Sequence, residues 1–390
     1  MTLPFCPSCQ RESDRKIAEF REVPVLCNQL FESPEAARNA RCGNIELALC
    51  AGCGLIWNRA FDPTLVAYAQ GYENALHHSP HFRDFAEALV QRLVSDYGLT
   101  DGTVVEIGCG DGYVLNLFAR LGVKSAIGYD PSMEGRVSAY SNREGVEIHA
   151  QAFDATTLRD PADLVLCRHV LEHLDTPRLF LDDVAHALGA RTTPLYFEVP
   201  NAEWMLMAPS PWDVIYEHVT YWTEASLCAA FRAAGLRPVS LVRGYGDQFL
   251  SIEAEKAETA GEKVVAPCDL EPLQRVASGF ADYFHRETQR WEMLLEATDG
   301  PVVIWGAGSK GITFANVMAH TGSGFAAMVD VNPQKHGRFI PGTGTQVIAP
   351  SAVADIAPAL ILISNGLYKD EIASDLRTMG LEPKFEVIST

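Results

Sequence analysis

Residues 103 to 112 read TVVEIGCGDG. An apolar run enters a turn with glycine at every second position, the mark of a buried strand passing into a tight loop. A helix-like stretch, YVLNLFARLG, follows, and then a second strand, SAIGYDPS, with Asp130 near its end. Further strands read VEIHAQ, DLVLCRHV (163–170), TPLYFEVPN (193–201), RPVSLVRG and QFLSIEAEK, with the helix ASLCAAFRAAG between the last two and those before. Upstream, HFRDFAEALVQRLVSDYGL has the period of an amphipathic helix ended by glycine. Strands alternating with helices in this way predict an α/β fold with a parallel, doubly wound sheet.

The chain has 390 residues, too many for one compact core, so two or three domains are expected. Its formal net charge is −19, and no Lys/Arg cluster offsets it locally. That balance argues against a nucleic-acid partner and leaves room for a small-molecule one. No run of eighteen apolar residues predicts a membrane span, and the first residues lack the basic and apolar regions of a signal peptide. A cytoplasmic protein, monomeric or weakly oligomeric, is the expectation.

Six of the ten cysteines fall in the first 53 residues. Cys6 and Cys9 form one CxxC pair, Cys50 and Cys53 a second, which is the spacing of two knuckles offering four thiolates to a structural Zn2+. Cys27 and Cys42 compete less well, having no CxxC partner, and unligated buried thiols are the plainer alternative. Residues 1–70 are expected to form this module, residues 71–258 the doubly wound core, and residues 259–390 a helix at about 271–297 followed by a Rossmann-like unit. That last unit holds PVVIWGAGSKG, GFAAMVDVNP, ALILISNG and KFEVIST as strands.

In the core, Glu106 precedes Gly108, Gly110 and Gly112, and Asp130 follows at the end of the next strand. An acid there accepts the two ribose hydroxyls of a nucleoside. This E-x-G-x-G pattern resembles the S-adenosylmethionine site of class I methyltransferases, in which the glycines let the backbone approach the amino-acid part of the cofactor. Phe153 is placed to stack on the adenine and Asp154 to accept from its amino group, although DATTL also reads as a capped helix start. CRHVLEH ends the fourth strand, so His169 is expected to point at cofactor or substrate, with Glu172 and His173 opening the next helix. The segment DVIYEHVTYWT, 213–223, lies in the connection from the fifth strand to a helix N-capped by Thr223. Strand order therefore hangs Tyr216, Glu217 and His218 over the cofactor.

The paired CxxC motifs, VEIGCGDG, CRHVLEH, YEHVTY and WGAGSKG occur in the order seen in sugar C-methyltransferases of antibiotic biosynthesis, which the whole chain resembles. Those enzymes methylate C3 of TDP-4-keto-deoxysugars. The resemblance implies a nucleotide-linked keto-sugar as acceptor, a Tyr-x-His general-base cluster carried by Tyr216 and His218, and a tyrosine before the core, matched by Tyr72 or Tyr68. Carbon methylation needs a proton removed α to a ketone, and a neutral histidine takes it at neutral pH. GYGDQFLSIEA departs from the family through Asp247 and Gln248, which puts the acceptor's identity in doubt. O- or N-methylation by the same base is the near alternative. An NAD-dependent oxidoreductase built on GAGSKG and Asp330 is the alternative of another class.

Overall fold

The computed structural model describes residues 3–13, 15–66, 75–140, 143–154, 162–207, 211–257 and 270–389. At the N-terminal end, β1 (Lys16–Pro24), α1 (Pro34–Arg38), β2 (Cys42–Leu49) and β3 (Ile56–Asn58) make a small antiparallel sheet with one helical turn, capped by Ser33. Helix α2 (Pro80–Tyr97) buries Phe82, Ala86, Leu89, Val90 and Leu93. It stops at Gly98, whose φ of +61° closes the helix in the left-handed conformation that glycine adopts without strain.

The core then runs β4 (Thr103–Ile107), α3 (Tyr113–Arg120), β5 (Ser125–Tyr129), β6 (Val146–His149), β7 (Leu164–Arg168), α4 (Pro177–Leu188), β8 (Leu195–Pro200) and α5 (Ala202–Met207). After these come β9 (Thr220–Tyr221), α6 (Glu224–Ala233), β10 (Leu236–Gly244) and β11 (Phe249–Lys256). Seven strands form one sheet in the order β10-β11-β8-β7-β4-β5-β6. From β8 to β6 all neighbours are parallel. The last hairpin departs from the parallel pattern, with β11 running antiparallel to both β8 and β10. A two-strand hairpin has no crossover helix, so one strand must reverse. Counted within the sheet, the order is 3-2-1-4-5-7-6, the doubly wound class I arrangement that the motifs predict. Its switch point lies between β4 and β7, where ligands sit beyond the strand ends.

β9 leaves this sheet and pairs with β3, Ile56 facing Tyr221 and Trp57 facing Thr220. One apolar cluster accordingly joins Cys6, Cys50, Cys53 and Trp57 to Phe197, Trp222 and Leu227. The single helix expected near 271–297 is two, α7 (Glu271–Ser278) and α8 (Phe280–Glu296). Ser278 Oγ bonds back to Gln274 O, and Gly279 follows; both loosen a helix at that point. The C-terminal unit continues with β12 (Val302–Trp305), α9 (Ser309–His320), β13 (Ala327–Val329), β14 (Val347–Ile348), α10 (Val353–Ile356), β15 (Leu360–Ile363), α11 (Lys369–Thr378) and β16 (Lys384–Val387). Its five strands are all parallel, in the order β14-β13-β12-β15-β16.

Candidate active site

The glycine turn after β4 assigns each glycine a different task. A Cβ on Gly108 would come 2.1 Å from Val170, and one on Gly112 would come 2.5 Å from Ile148. At Gly110, φ is +53° and a Cβ would meet nothing within 4 Å. Two glycines are therefore required by packing, and the middle one faces open space. Asp130 fixes this turn from the end of β5, taking Gly110 N–H at 2.7 Å and Ser132 N–H at 2.8 Å, one on each carboxylate oxygen. Glu106 is buried, and its Oε2 has no hydrogen-bond partner among the described residues. Burial pushes its carboxyl up to about 8; Arg168 opposes the shift, while Asp130 and Asp111 add to it. Phe153 lies edge-on to Tyr129 with ring centres 6.0 Å apart, and Asp154 is exposed beside it.

Beyond β7 the chain turns sharply instead of entering a helix. Leu171–His173 is one 3-10 turn, and α4 begins only at Pro177. Glu172 and His173 thus belong to a tight turn that Val170 ties to the glycine loop. His169 has φ +54°, a left-handed conformation that costs a non-glycine residue about 1 kcal/mol or more. It is locked there by His169 N–H to Glu198 O at 2.8 Å. Its ring lies between two carboxylates, Nδ1 3.4 Å from Glu172 and Nε2 3.2 Å from Glu198. Burial alone would lower its pKa, but Glu172 and Glu198 outweigh that and hold it up to about 9. Glu198 also receives Arg168 at 2.7 Å and the Tyr196 hydroxyl at 2.9 Å. Burial opposes ionisation there, and Arg168 and His169 still hold the carboxylate down to about 2. His169 is thus a committed cation in a buried network, which makes it a poor proton acceptor.

Residues 216–218 do not act as one cluster. Tyr216 is fully buried; its hydroxyl accepts Asp62 N–H at 2.8 Å, and its ring fills the space beside Gly43. The Glu217 carboxylate accepts Cys27 N–H at 2.6 Å. Both side chains turn to the N-terminal sheet, so the expected Tyr216–His218 pairing is replaced by another. The His218 ring meets His173 edge-on at 5.0 Å, and one ligand atom each of Glu172, His173 and His218 lies within 4.8 Å of the others. Burial pushes His218 down to about 3, the nearby His173 adding to the effect and Glu172 opposing it. His173 Nδ1 sits 3.1 Å from Glu217 O. A carbonyl only accepts, so Nδ1 donates this bond. Tyr72 and Tyr68 lie outside the described residues.

The four N-terminal cysteines converge. Cys6 and Cys53 sulfurs are 3.6 Å apart, Cys9 and Cys50 3.4 Å, and all four lie within 4.8 Å of one another. A disulfide needs about 2.05 Å. Four sulfurs at 2.3 Å from one zinc ion would be about 3.8 Å apart, so the donor set fits tetrahedral zinc. Gln10 N–H on Cys6 O and Gly54 N–H on Cys50 O, both at 2.9 Å, close the two knuckles. Cys27 and Cys42 stand outside the cluster.

The second glycine turn, after β12, is closed internally. Asp330 takes Ala307 N–H at 3.0 Å and Asn332 N–H at 2.9 Å, and lies 3.3 Å from the buried ammonium of Lys335. Lys335 in turn donates to Ala307 O at 2.8 Å. A Cβ on Gly306 would come 2.0 Å from Ser364 Oγ. Two backbone amides hold Asp330 as two hold Asp130; the partner Asp330 adds is the Lys335 ammonium, which pairs with the carboxylate that would serve a dinucleotide ribose. Lys310 leaves this turn for the core: its ammonium reaches Gln248 Oε1 at 2.8 Å and Asp213 at 3.2 Å, over the Trp204 ring at 5.0 Å. Gln248 and Asn365 exchange two amide hydrogen bonds, 3.0 and 2.9 Å long.

Residues 78–241 match the family model described as "Methyltransferase domain", and residues 278–383 match "C-methyltransferase C-terminal domain". The chain is an S-adenosylmethionine-dependent methyltransferase. This methyltransferase is related to the C-methyltransferase NovU of Streptomyces niveus. The two are 26% identical over 394 residues, spanning 94% of this chain and 90% of the relative. It is also similar to a solved methyltransferase of Listeria monocytogenes, at 16% identity and TM-score 0.34, over 45% of this chain and all of that one. Magnesium protoporphyrin IX methyltransferase from Synechocystis gives 18% and 0.36, over 49% and 91%. Those two structural likenesses are too weak to add anything about this site.

The methyltransferase's own residues fit its cofactor: an open face at Gly110, an acid at Asp130 and an orphaned buried carboxylate at Glu106. The sequence left the Glu172 and His173 roles undecided and gave no place to Lys310. The missed signal was Pro177, which sets the helix start four residues after His173 and leaves LEH to a turn.

Proposed function

We propose that this methyltransferase alkylates a carbon α to a ketone in a small metabolite, with a nucleotide-linked deoxysugar as the leading acceptor class. His218 is the general base. The carrying observation is the meeting of His218, His173 and Glu172 on the turn that Val170 ties to the glycine loop. S-adenosylmethionine supplies an electrophilic methyl when bound; carbon attacks it only after losing a proton. His218 is uncharged throughout the neutral range, the form that accepts a proton. A pKa as low as about 3 also makes it a weak base in the free site. The acceptor's enolate must therefore be stabilised as it forms, and Lys310 is the cation on that side. Glu172, buried and ionised, stabilises the imidazolium that results. His173, its Nδ1 held by Glu217 O, is the proton's next station.

The relative NovU, a C-methyltransferase by name, supports carbon as the nucleophile. The internally closed turn at Asp330 disfavours the oxidoreductase reading and supports an acceptor-side role for the C-terminal unit. The four thiols hold structural zinc, four ligands leaving no open position. Incubation with methyl-labelled cofactor and a panel of 4-keto nucleotide sugars tests the proposal. Methyl-labelled product with a carbon-bound methyl resonance supports it; an O- or N-methyl resonance, or no transfer to any ketone, refutes it.

A further inference from the structure

The residues on either side of His218 are each stretched between the cysteine module and the Glu172–His173 turn. Glu217 sends its carboxylate to Cys27 N–H at 2.6 Å and offers its carbonyl to His173 at 3.1 Å. Val219 gives its carbonyl to Asn58 N–H at 2.9 Å and its own N–H to Glu172 O at 2.8 Å. His218 is the residue between these two bridges. Further along, Thr220 and Tyr221 pair with β3, and Thr223 Oγ1 donates to Gly54 O at 3.2 Å. Gly54 directly follows Cys53, and its own N–H closes the second knuckle. Before His218, the Tyr216 hydroxyl holds Asp62 and its ring covers Gly43.

Residues 216–223 therefore have little order of their own. They contribute a two-residue strand to a foreign sheet, and buried polar groups on both sides dictate where their backbone lies. Such a segment is stable only while its anchor is stable. The anchor's loops at Cys6–Cys9 and Cys50–Cys53 carry no helix, and their sulfurs gain a common partner only from a metal.

We propose that the cysteine module is the positioning element for His218. Glu217 and Thr223 are positioning residues that transmit the order imposed by its metal to the imidazole. The inference rests on reading the four thiols as a metal site. Linkage makes the coupling reciprocal: if the metal orders the segment, loosening the segment weakens the hold on the metal.

Elemental analysis of the purified chain comes first, and a chain without a tightly held metal sinks the metal reading itself. With metal present, hydrogen exchange is compared before and after chelation, with peptides from β12 and β15 as the internal control. The expected result is exchange faster by about tenfold or more across 216–222, with the control unchanged. Separately, Thr223→Val and Glu217→Ala should speed metal transfer to a chromophoric chelator severalfold. Thr223→Ser and Glu217→Gln, which keep the donor or acceptor, should restore the slow rate. Unchanged exchange at 216–222 in the metal-free chain overturns the proposal. So does a loss of protection spread evenly over the control strands, or metal release that none of the variants alters.

Discussion

Glu106–Gly112 and Trp305–Gly311 are both strand-to-helix glycine turns, followed about two dozen residues later by an acid, Asp130 and Asp330. In the first, the middle glycine faces open space and a buried Glu106 carboxylate oxygen has no partner among the described residues. The second turn shares the open middle glycine, Gly308, and two backbone amides on its acid, but there the buried Lys335 ammonium also pairs with the acid, Asp330. The fingerprint records a backbone path; what a turn binds depends on whether its polar groups are left unsatisfied. Buried groups rarely stay that way without a ligand to meet them.

If the first turn serves chemistry, its neighbouring histidine carries the largest effect. His218→Gln should lower kcat about 10²- to 10⁴-fold on whichever keto-sugar the panel returns, with cofactor affinity nearly unchanged. Steady-state kinetics and calorimetric titration of the cofactor read the two separately, and full turnover in the variant would remove His218 as the base. On the second turn the largest effect is on stability. Lys335→Met strands the Asp330 carboxylate and should cost about 3–5 kcal/mol, seen in denaturant melts. It should create no NADH binding by fluorescence titration; micromolar binding would show that Lys335 masks a working dinucleotide site.

The glycines allow a finer cut. Gly110→Ala should weaken cofactor binding about tenfold or more, while strain at φ +53° costs the fold only about 1 kcal/mol. Gly306→Ala should leave cofactor affinity alone and destabilise by about 2–3 kcal/mol, from strain at φ +107° and the clash with Ser364. Thermal melts with and without S-adenosylmethionine separate the two, and equal behaviour of the variants would erase the distinction between the turns.

The parts legible in the sequence are those set by local period and spacing. The alternation of strands and helices, the Gly98 stop and the choice of Cys6, Cys9, Cys50 and Cys53 as one donor set all follow from short motifs. The partners of Tyr216 and Glu217 did not, because they depend on β9 crossing to β3, with Trp57 facing Thr220 and Ile56 facing Tyr221 from far earlier in the chain, a tertiary choice that no local pattern encodes. The break at Gly279 was legible in principle, since a serine bonding back beside a glycine is a recognised weak point. Lys310 was not, because its role depends on the C-terminal unit docking its glycine turn against Asp213 and Gln248.

The smallest effect, and a direct probe of the unsatisfied first turn, is the titration of Glu106. Its folded pKa is raised from an ordinary 4.5 to about 8, chiefly by burial. The native state thus holds a proton that the unfolded chain releases, so this group's contribution to stability is full below about pH 4 and is lost as pH rises toward 8. Cofactor binding reverses the preference, because a cationic ligand favours the carboxylate. Affinity for S-adenosylmethionine should therefore climb as pH rises toward 8, by at most tenfold per unit, and level off above it. Binding at neutral pH should release up to one proton, measurable as a calorimetric enthalpy that differs between buffers of different ionisation enthalpy. Glu106→Gln should flatten the affinity profile and abolish the buffer dependence. A wild-type profile already flat from about pH 6 to 9 would mean that binding leaves the protonation of Glu106 unchanged, and would remove this carboxyl as a group that titrates with the ligand.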